Sequence, residues 1–142
     1  MEKRQKVLFI CTGNSCRSQI AEGLLRKLAS NHYEVFSAGS HPSKVHPNAI
    51  SVMKEWDIDI SSQTSDNIKN YLNKGIDIVI TVCDNANEAC PIFPNQTKRI
   101  HWSIEDPFRG WDNNKLHLDT FRKTRDLIKI KLKKFINIGG VH

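Results

Sequence analysis

No apolar run in this sequence is longer than a β-strand. The longest, Val7 to Cys11 and Ile76 to Cys83, fall well short of the ~20 residues that a membrane-spanning helix needs. An export signal is missing too: the charged segment Met1 to Lys6 is followed by only five apolar residues before Thr12 and Gly13, too few for a signal-peptide core. A cytoplasmic protein with no membrane partner is therefore expected. Zinc knuckles are also lacking, because Cys11-x4-Cys16 and Cys83-x6-Cys90 do not have the short paired spacings of structural sites and no His pair completes a tetrahedron. Neither internal repeats nor low-complexity stretches interrupt the chain, so its 142 residues, 39% of them hydrophobic, are expected to form one domain over 1–142.

The net charge of +6 is concentrated in one place. Residues 122 to 134 carry Arg122, Lys123, Arg125, Lys129, Lys131, Lys133 and Lys134 against Asp126 alone. No aromatic residues interleave this run as a stacking platform for nucleic acid would require, so it reads as a solvated helical face. Four cysteines in a chain without an export signal are not expected to form structural disulfides. Their chemistry has to be argued from position.

Strand and helix patterns alternate. Lys6 to Cys11 is a buried-strand run, and Ile20, Leu24, Leu25 and Leu28 recur at helical spacing from about Arg17 to Ser30. Tyr33 to Ser37 predicts a short strand. Pro47 opens a helix with Ile50, Met53 and Trp56 on one face, and Ser65 to Leu72 predicts a third helix. Ile76 to Cys83 and Arg99 to Ile104 predict two further strands. The stretch 127–133 alternates like a strand, while Phe121, Thr124, Ile128, Leu132 and Phe135 fit a helix; two dozen residues without Gly or Pro decide for the helix. The expectation is an α/β fold: a single domain with a four-stranded parallel sheet flanked by helices on both faces.

Open α/β sheets bind ligands beyond the carboxyl ends of their strands, which here bring Cys11, Cys83 and Asp106 to one edge. The segment Cys11-Thr12-Gly13-Asn14-Ser15-Cys16-Arg17-Ser18 puts a thiol at a strand end, five loop residues after it, and an arginine at the start of a helix. Consecutive loop N–H groups from Thr12, Gly13, Asn14, Ser15 and Cys16 can surround a tetrahedral anion while Arg17 grips it with a planar fork. The same positive surroundings favour a thiolate and make Cys11 a nucleophile. Gly13 is expected to relieve backbone strain, Asn14 to tie the loop internally, and Ser18 to donate to the thiolate. Cys16 reads as a small packing residue.

Cys11 to Gln19 resembles the active-site loop of low-molecular-weight tyrosine phosphatases and, more closely, of the thioredoxin-coupled arsenate reductases on that fold. Ala21-Glu22-Gly23, Ser37-Ala38-Gly39, Asp57 to Ser61, Thr64-Ser65-Asp66, Cys90-Pro91 and Asp106-Pro107 extend the resemblance over nearly the whole chain. It implies that arsenate is the substrate, that Asp106 is the general acid, and that Cys83 and Cys90 are second and third redox cysteines. Two electrons would then pass from the thiols to arsenate, leaving a disulfide that is relayed from Cys11 to Cys83 and Cys90, where a thioredoxin-type partner reduces it. It further implies a monomer with no tightly bound cofactor, and a potassium site at Asn14, Glu22, Ser37 and Asp66. Phe108 departs from the reductase pattern toward the phosphatase one, and the 108–118 segment is longer than usual. A tyrosine phosphatase is the alternative.

Overall fold

The computed structural model describes residues 4–94, 96–111 and 115–137. Four parallel strands form one sheet in the order β2-β1-β3-β4, with β1 at Gln5–Cys11, β2 at Tyr33–Gly39, β3 at Ile78–Thr81 and β4 at Lys98–His101. Val7 to Ile10 are fully buried because β1 is covered on both faces, which is why this strand is a continuous apolar run with no alternation. Helices α1 (Arg17–Ala29), α2 (Pro47–Lys54), α3 (Asp84–Ala89) and α4 (Leu118–Asn137) complete the fold. The crossovers β1-α1-β2 and β3-α3-β4 travel in opposite directions across the sheet, so right-handed connection puts α1 and α3 on opposite faces. α4 packs against α1 and α2. No helix among the described residues is long and apolar enough to cross a membrane.

Four elements differ from expectation, each for a visible reason. β3 and β4 are shorter than the apolar runs, although Val82 N–H still donates to Ile10 and Trp102 N–H to Thr81, both at 2.8 Å. Beyond those bonds Cys83 turns away to cap α3. The helix expected over Ser65 to Leu72 is only a 3₁₀ turn at Ile68–Tyr71. Asp66 accepts from Gly39 N–H at 2.8 Å, and Gly39 bridges Asn67 in parallel fashion, so this stretch runs extended beside β2. Finally, α2 ends before Trp56, where Asp57 takes a φ of 58°.

The basic run of α4 is not uniformly solvated. Arg125 is buried, donating to Val52 O at 2.8 Å and Glu55 Oε1 at 2.7 Å, with its guanidinium 3.8 Å from the Trp56 ring centre. Arg122 also donates to Glu55, and the two guanidiniums hold that carboxyl down to about 2. Glu55 is thus an interhelical anchor that a charge count along the chain does not reveal.

The helix at 118–137 separates Ile128, fully buried, from Ile130, 55% exposed. A strand would have put both on one face. Ile128→Ala should cost about 2–5 kcal/mol in urea unfolding, while Ile130→Ala should stay within about 0.5 kcal/mol. Equal losses would contradict the helical packing.

Candidate active site

The loop between β1 and α1 is held from outside by its carbonyls. Thr12 O accepts from His41 N–H at 2.9 Å, Gly13 O from Ser43 N–H at 3.1 Å, and Ser15 O from His46 N–H at 3.1 Å. Gln19 Nε2 donates to Asn14 O at 3.0 Å, and the hydroxyls of Ser43 and Ser65 donate to Gly13 O. With the carbonyls drawn outward, the N–H groups of the loop turn toward its centre, and among the described residues no protein acceptor takes up those from Thr12 to Cys16. This is the concave nest of amides that an oxyanion requires.

Backbone strain falls on Asn14 and not on Gly13. Asn14 is fully buried with a φ of 45°, the left-handed region that asparagine tolerates better than most residues. Its carboxamide secures that conformation. Oδ1 accepts from Asp66 N–H at 2.7 Å, and Nδ2 donates to Ser18 Oγ at 2.8 Å and to Ser37 Oγ at 2.9 Å. Ser18 Oγ in turn lies 2.8 Å from Cys11 Sγ. Because Asn14 already donates to Ser18, the Ser18 proton is free to go to a Cys11 thiolate.

Arg17 opens α1 and crosses to the end of the sheet. Its Nη1 donates to Ile104 O at 2.8 Å, and its Nη2 lies 3.6 Å from Asp106 Oδ2. Its buried Nε has no partner among the described residues, a donor that a bound tetrahedral anion would satisfy. Asp106 is half-exposed, and its Oδ1 accepts from Phe108 N–H at 2.9 Å in a tight turn. A cavity of about 300 Å³ joins Cys11, Arg17 and Asp106 with Asn85, Phe108 and Trp111.

The remaining thiols occupy distinct environments. Cys16 is buried; desolvation pushes it up to about 12, keeping it protonated beside Ser15 and consistent with a packing role. Cys83 is buried at the start of α3, where its Sγ accepts from Ala86 N–H at 3.3 Å and sits 3.4 Å from Thr12 Oγ1. The second redox candidate therefore touches the residue adjacent to Cys11. Cys90 is half-buried at the other end of α3, its thiol raised by partial burial. All four cysteines are reduced.

Asn14, Glu22, Ser37 and Asp66 also meet, on the opposite side of the loop from the cavity. One of the two carboxylates is paired within the protein: Arg26 donates to Glu22 Oε2 at 2.6 Å, while Asp66 Oδ2 accepts from the hydroxyls of Thr64 and Tyr71.

Several contributors carried no sequence signal of their own. Ser43 and His46 lie far along the chain and brace the loop through backbone N–H groups, which any residue type can supply, and Ser65 adds a hydroxyl to Gly13 O. His46 also caps α2 and stacks on Trp111 with ring centroids 5.3 Å apart, fixing the aromatic side of the cavity. Within the 108–118 segment, residues 112–114 lie outside the described residues.

A nucleophilic thiol framed by inward amides and an arginine, at the carboxyl edge of a parallel sheet, is the mark of enzymes that attack tetrahedral oxyanions. The chain belongs to the low molecular weight phosphotyrosine protein phosphatase family, whose profile matches residues 6–138. An arsenate reductase of Staphylococcus xylosus is 44% identical over 133 residues, covering 93% of this chain and 96% of that one. A solved arsenate reductase in its oxidized state is 38% identical with a TM-score of 0.79, covering 94% of this chain and 97% of that chain. The thioredoxin-dependent arsenate reductase of Corynebacterium glutamicum is 29% identical with a TM-score of 0.73, covering 97% of this chain and 64% of its own.

Gly39 makes the loop possible. A Cβ there would stand 2.5 Å from Thr12 O, 2.8 Å from Cys11 O and 2.9 Å from Asn14 N, all of them backbone atoms. Gly39→Ala should weaken phosphate binding, measured by calorimetry, at least about tenfold while the circular dichroism stays native. Unchanged binding would show that the loop tolerates displacement.

Proposed function

We propose that this protein reduces arsenate to arsenite, and that Cys11, Cys83 and Cys90 pass the electrons. Arsenate is held by the loop amides and Arg17. The Cys11 thiolate attacks arsenic, an arsenic–oxygen bond breaks, and Asp106 protonates the departing oxygen, which leaves as water. Cys83 then attacks Cys11 Sγ; the sulfur–arsenic bonding pair stays on arsenic, which departs as arsenite, and a Cys11–Cys83 disulfide forms. Cys90 attacks Cys83 and releases Cys11 as a thiolate. A thioredoxin-type dithiol reduces the resulting Cys83–Cys90 disulfide and is itself oxidised.

The observation that carries this reading is the 3.4 Å contact between Thr12 Oγ1 and Cys83 Sγ. Phosphoryl transfer needs one thiol and a water, so a second buried thiol against the cradle has no task in a phosphatase. The arsenate reductases among the relatives, one of them thioredoxin-dependent, support the same reading. Half-buried Cys90, next to the almost fully exposed Ile92, suits the exchange of a disulfide with a protein reductant. Counting free thiols before and after arsenate, with no added reductant, tests the proposal: two should disappear for each arsenite released, and none if the chain only binds or hydrolyses.

A second activity has its own support. Phe108 and Trp111 lie edge to face with centroids 5.1 Å apart and line the cavity above Cys11, where an aryl ring would pack. Cys83→Ser should therefore still hydrolyse a small aryl phosphate while failing to turn over arsenate. Equal loss of both activities would give Cys83 a structural role.

Seven residues along a helix span ~10.5 Å, whereas a disulfide needs Cα atoms ~4.4–6.8 Å apart. α3 must therefore unwind before Cys90 reaches Cys83. Cys90→Ala should stop near one turnover with Cys11 and Cys83 joined, as peptide mapping would detect; sustained turnover with thioredoxin would remove Cys90 from the relay.

A further inference from the structure

The hydrogen bonds beside the loop have a fixed direction. Asp66 N–H can only donate, so Asn14 must present Oδ1 to it, and both hydrogens of Nδ2 are left for Ser37 and Ser18. Ser37 then sends its own proton to Glu22 Oε1, at 2.5 Å, and Ser18 sends its proton toward Cys11. Glu22 is buried on α1 and accepts at both oxygens, the second facing Arg26. Protonating Glu22 would place a hydrogen on an oxygen that already faces a donor.

Arg26, one turn further along α1, is not a loosely paired surface charge. Its Nη2 also donates to Val35 O at 2.8 Å, and its Nη1 to Gln63 Oε1 at 3.2 Å, so acceptors from α1, β2 and the 60–64 loop fix one guanidinium. The other groups facing Glu22 cannot replace it: Ser37 is neutral, Asp66 is an acid, and Tyr71 is pushed up to about 12 and stays neutral. Burial drives Glu22 toward protonation and Asp66 adds to that, while Arg26 and Ser37 oppose it. The oxygens of Asn14, Glu22, Ser37 and Asp66, which the family resemblance offers to potassium, are already engaged by protein donors.

We propose that Arg26 is a positioning residue that takes the part of a bound monovalent cation, holding the chain Glu22–Ser37–Asn14–Ser18 in register with Cys11 so that the enzyme works without potassium. The inference rests on Cys11 being the reacting thiol of the proposed reaction.

The test compares wild type, Arg26→Gln and Arg26→Lys at constant ionic strength in potassium, sodium and choline chloride. Wild-type arsenate reduction should be equal in the three salts within about twofold. Arg26→Gln should lose about tenfold in choline through misplacement of the thiol and recover most of it in potassium, while Arg26→Lys should stay active throughout. Potassium should raise the melting temperature of Arg26→Gln and leave that of wild type unchanged. Potassium stimulation of the wild type, full activity of Arg26→Gln in choline, or a loss that neither potassium nor lysine restores would each overturn the inference. The melting comparison needs no turnover, so a wild type that reduces no arsenate yet shows the expected salt response defeats the reaction and supports the cation role.

Discussion

The left-handed backbone of Asn14, held by its own buried carboxamide, is the constraint from which the site follows. A non-glycine residue in that region costs on the order of 1–2 kcal/mol, and three hydrogen bonds to Asp66, Ser18 and Ser37 offset it. Turning the chain at this point sends the loop carbonyls outward, where His41, Ser43, His46 and Ser65 meet them. The inward amides are the complement of those outward carbonyls. Two distant segments, residues 41–46 and Ser65, therefore share responsibility for one anion-binding surface, and neither supplies a charge to it.

Charge enters at two separate levels. Arg17 presents a buried Nε, unpartnered among the described residues, at the cavity, where charge on a substrate can be met directly. Arg26 and Glu22 lie behind the loop and act only through protons and geometry. Cys16 illustrates what the same loop does to a thiol without such support: desolvation dominates and the group stays protonated. In the proposed reaction, placement relative to donors, more than residence in the loop, separates the reacting sulfur from the inert one.

The architecture and the loop were legible in sequence because both rest on local patterns: apolar runs for strands, a 3.6-residue period for α4, and a thiol and an arginine bracketing a turn. What stayed hidden was decided by tertiary partners. Ser65 to Asn67 has helix-compatible residues, but their hydrogen-bonding groups are committed to Asn14, Gly39 and Gly13, so an extended segment wins over a helix. Arg125 reads as one more basic residue in a solvated run until Val52 and Glu55 are brought against it. Asn14, and not Gly13, bears the strained backbone because an asparagine there finds three partners that a glycine could not. Arg26 carries no signal in the sequence, since Val35 and Gln63 lie nine and thirty-seven residues away.

The sulfur of Cys83 is itself the group that accepts an N–H from the first turn of α3, that of Ala86. Bonding Cys83 to another cysteine draws that sulfur away from the Ala86 N–H, so the helix loses its cap. With only six residues, α3 has little internal cooperativity with which to survive that loss. In the proposed relay, the oxidation of Cys83 and the loosening of the segment that keeps Cys90 at a distance are thus one event, and the protein needs no separate trigger to bring its third thiol forward.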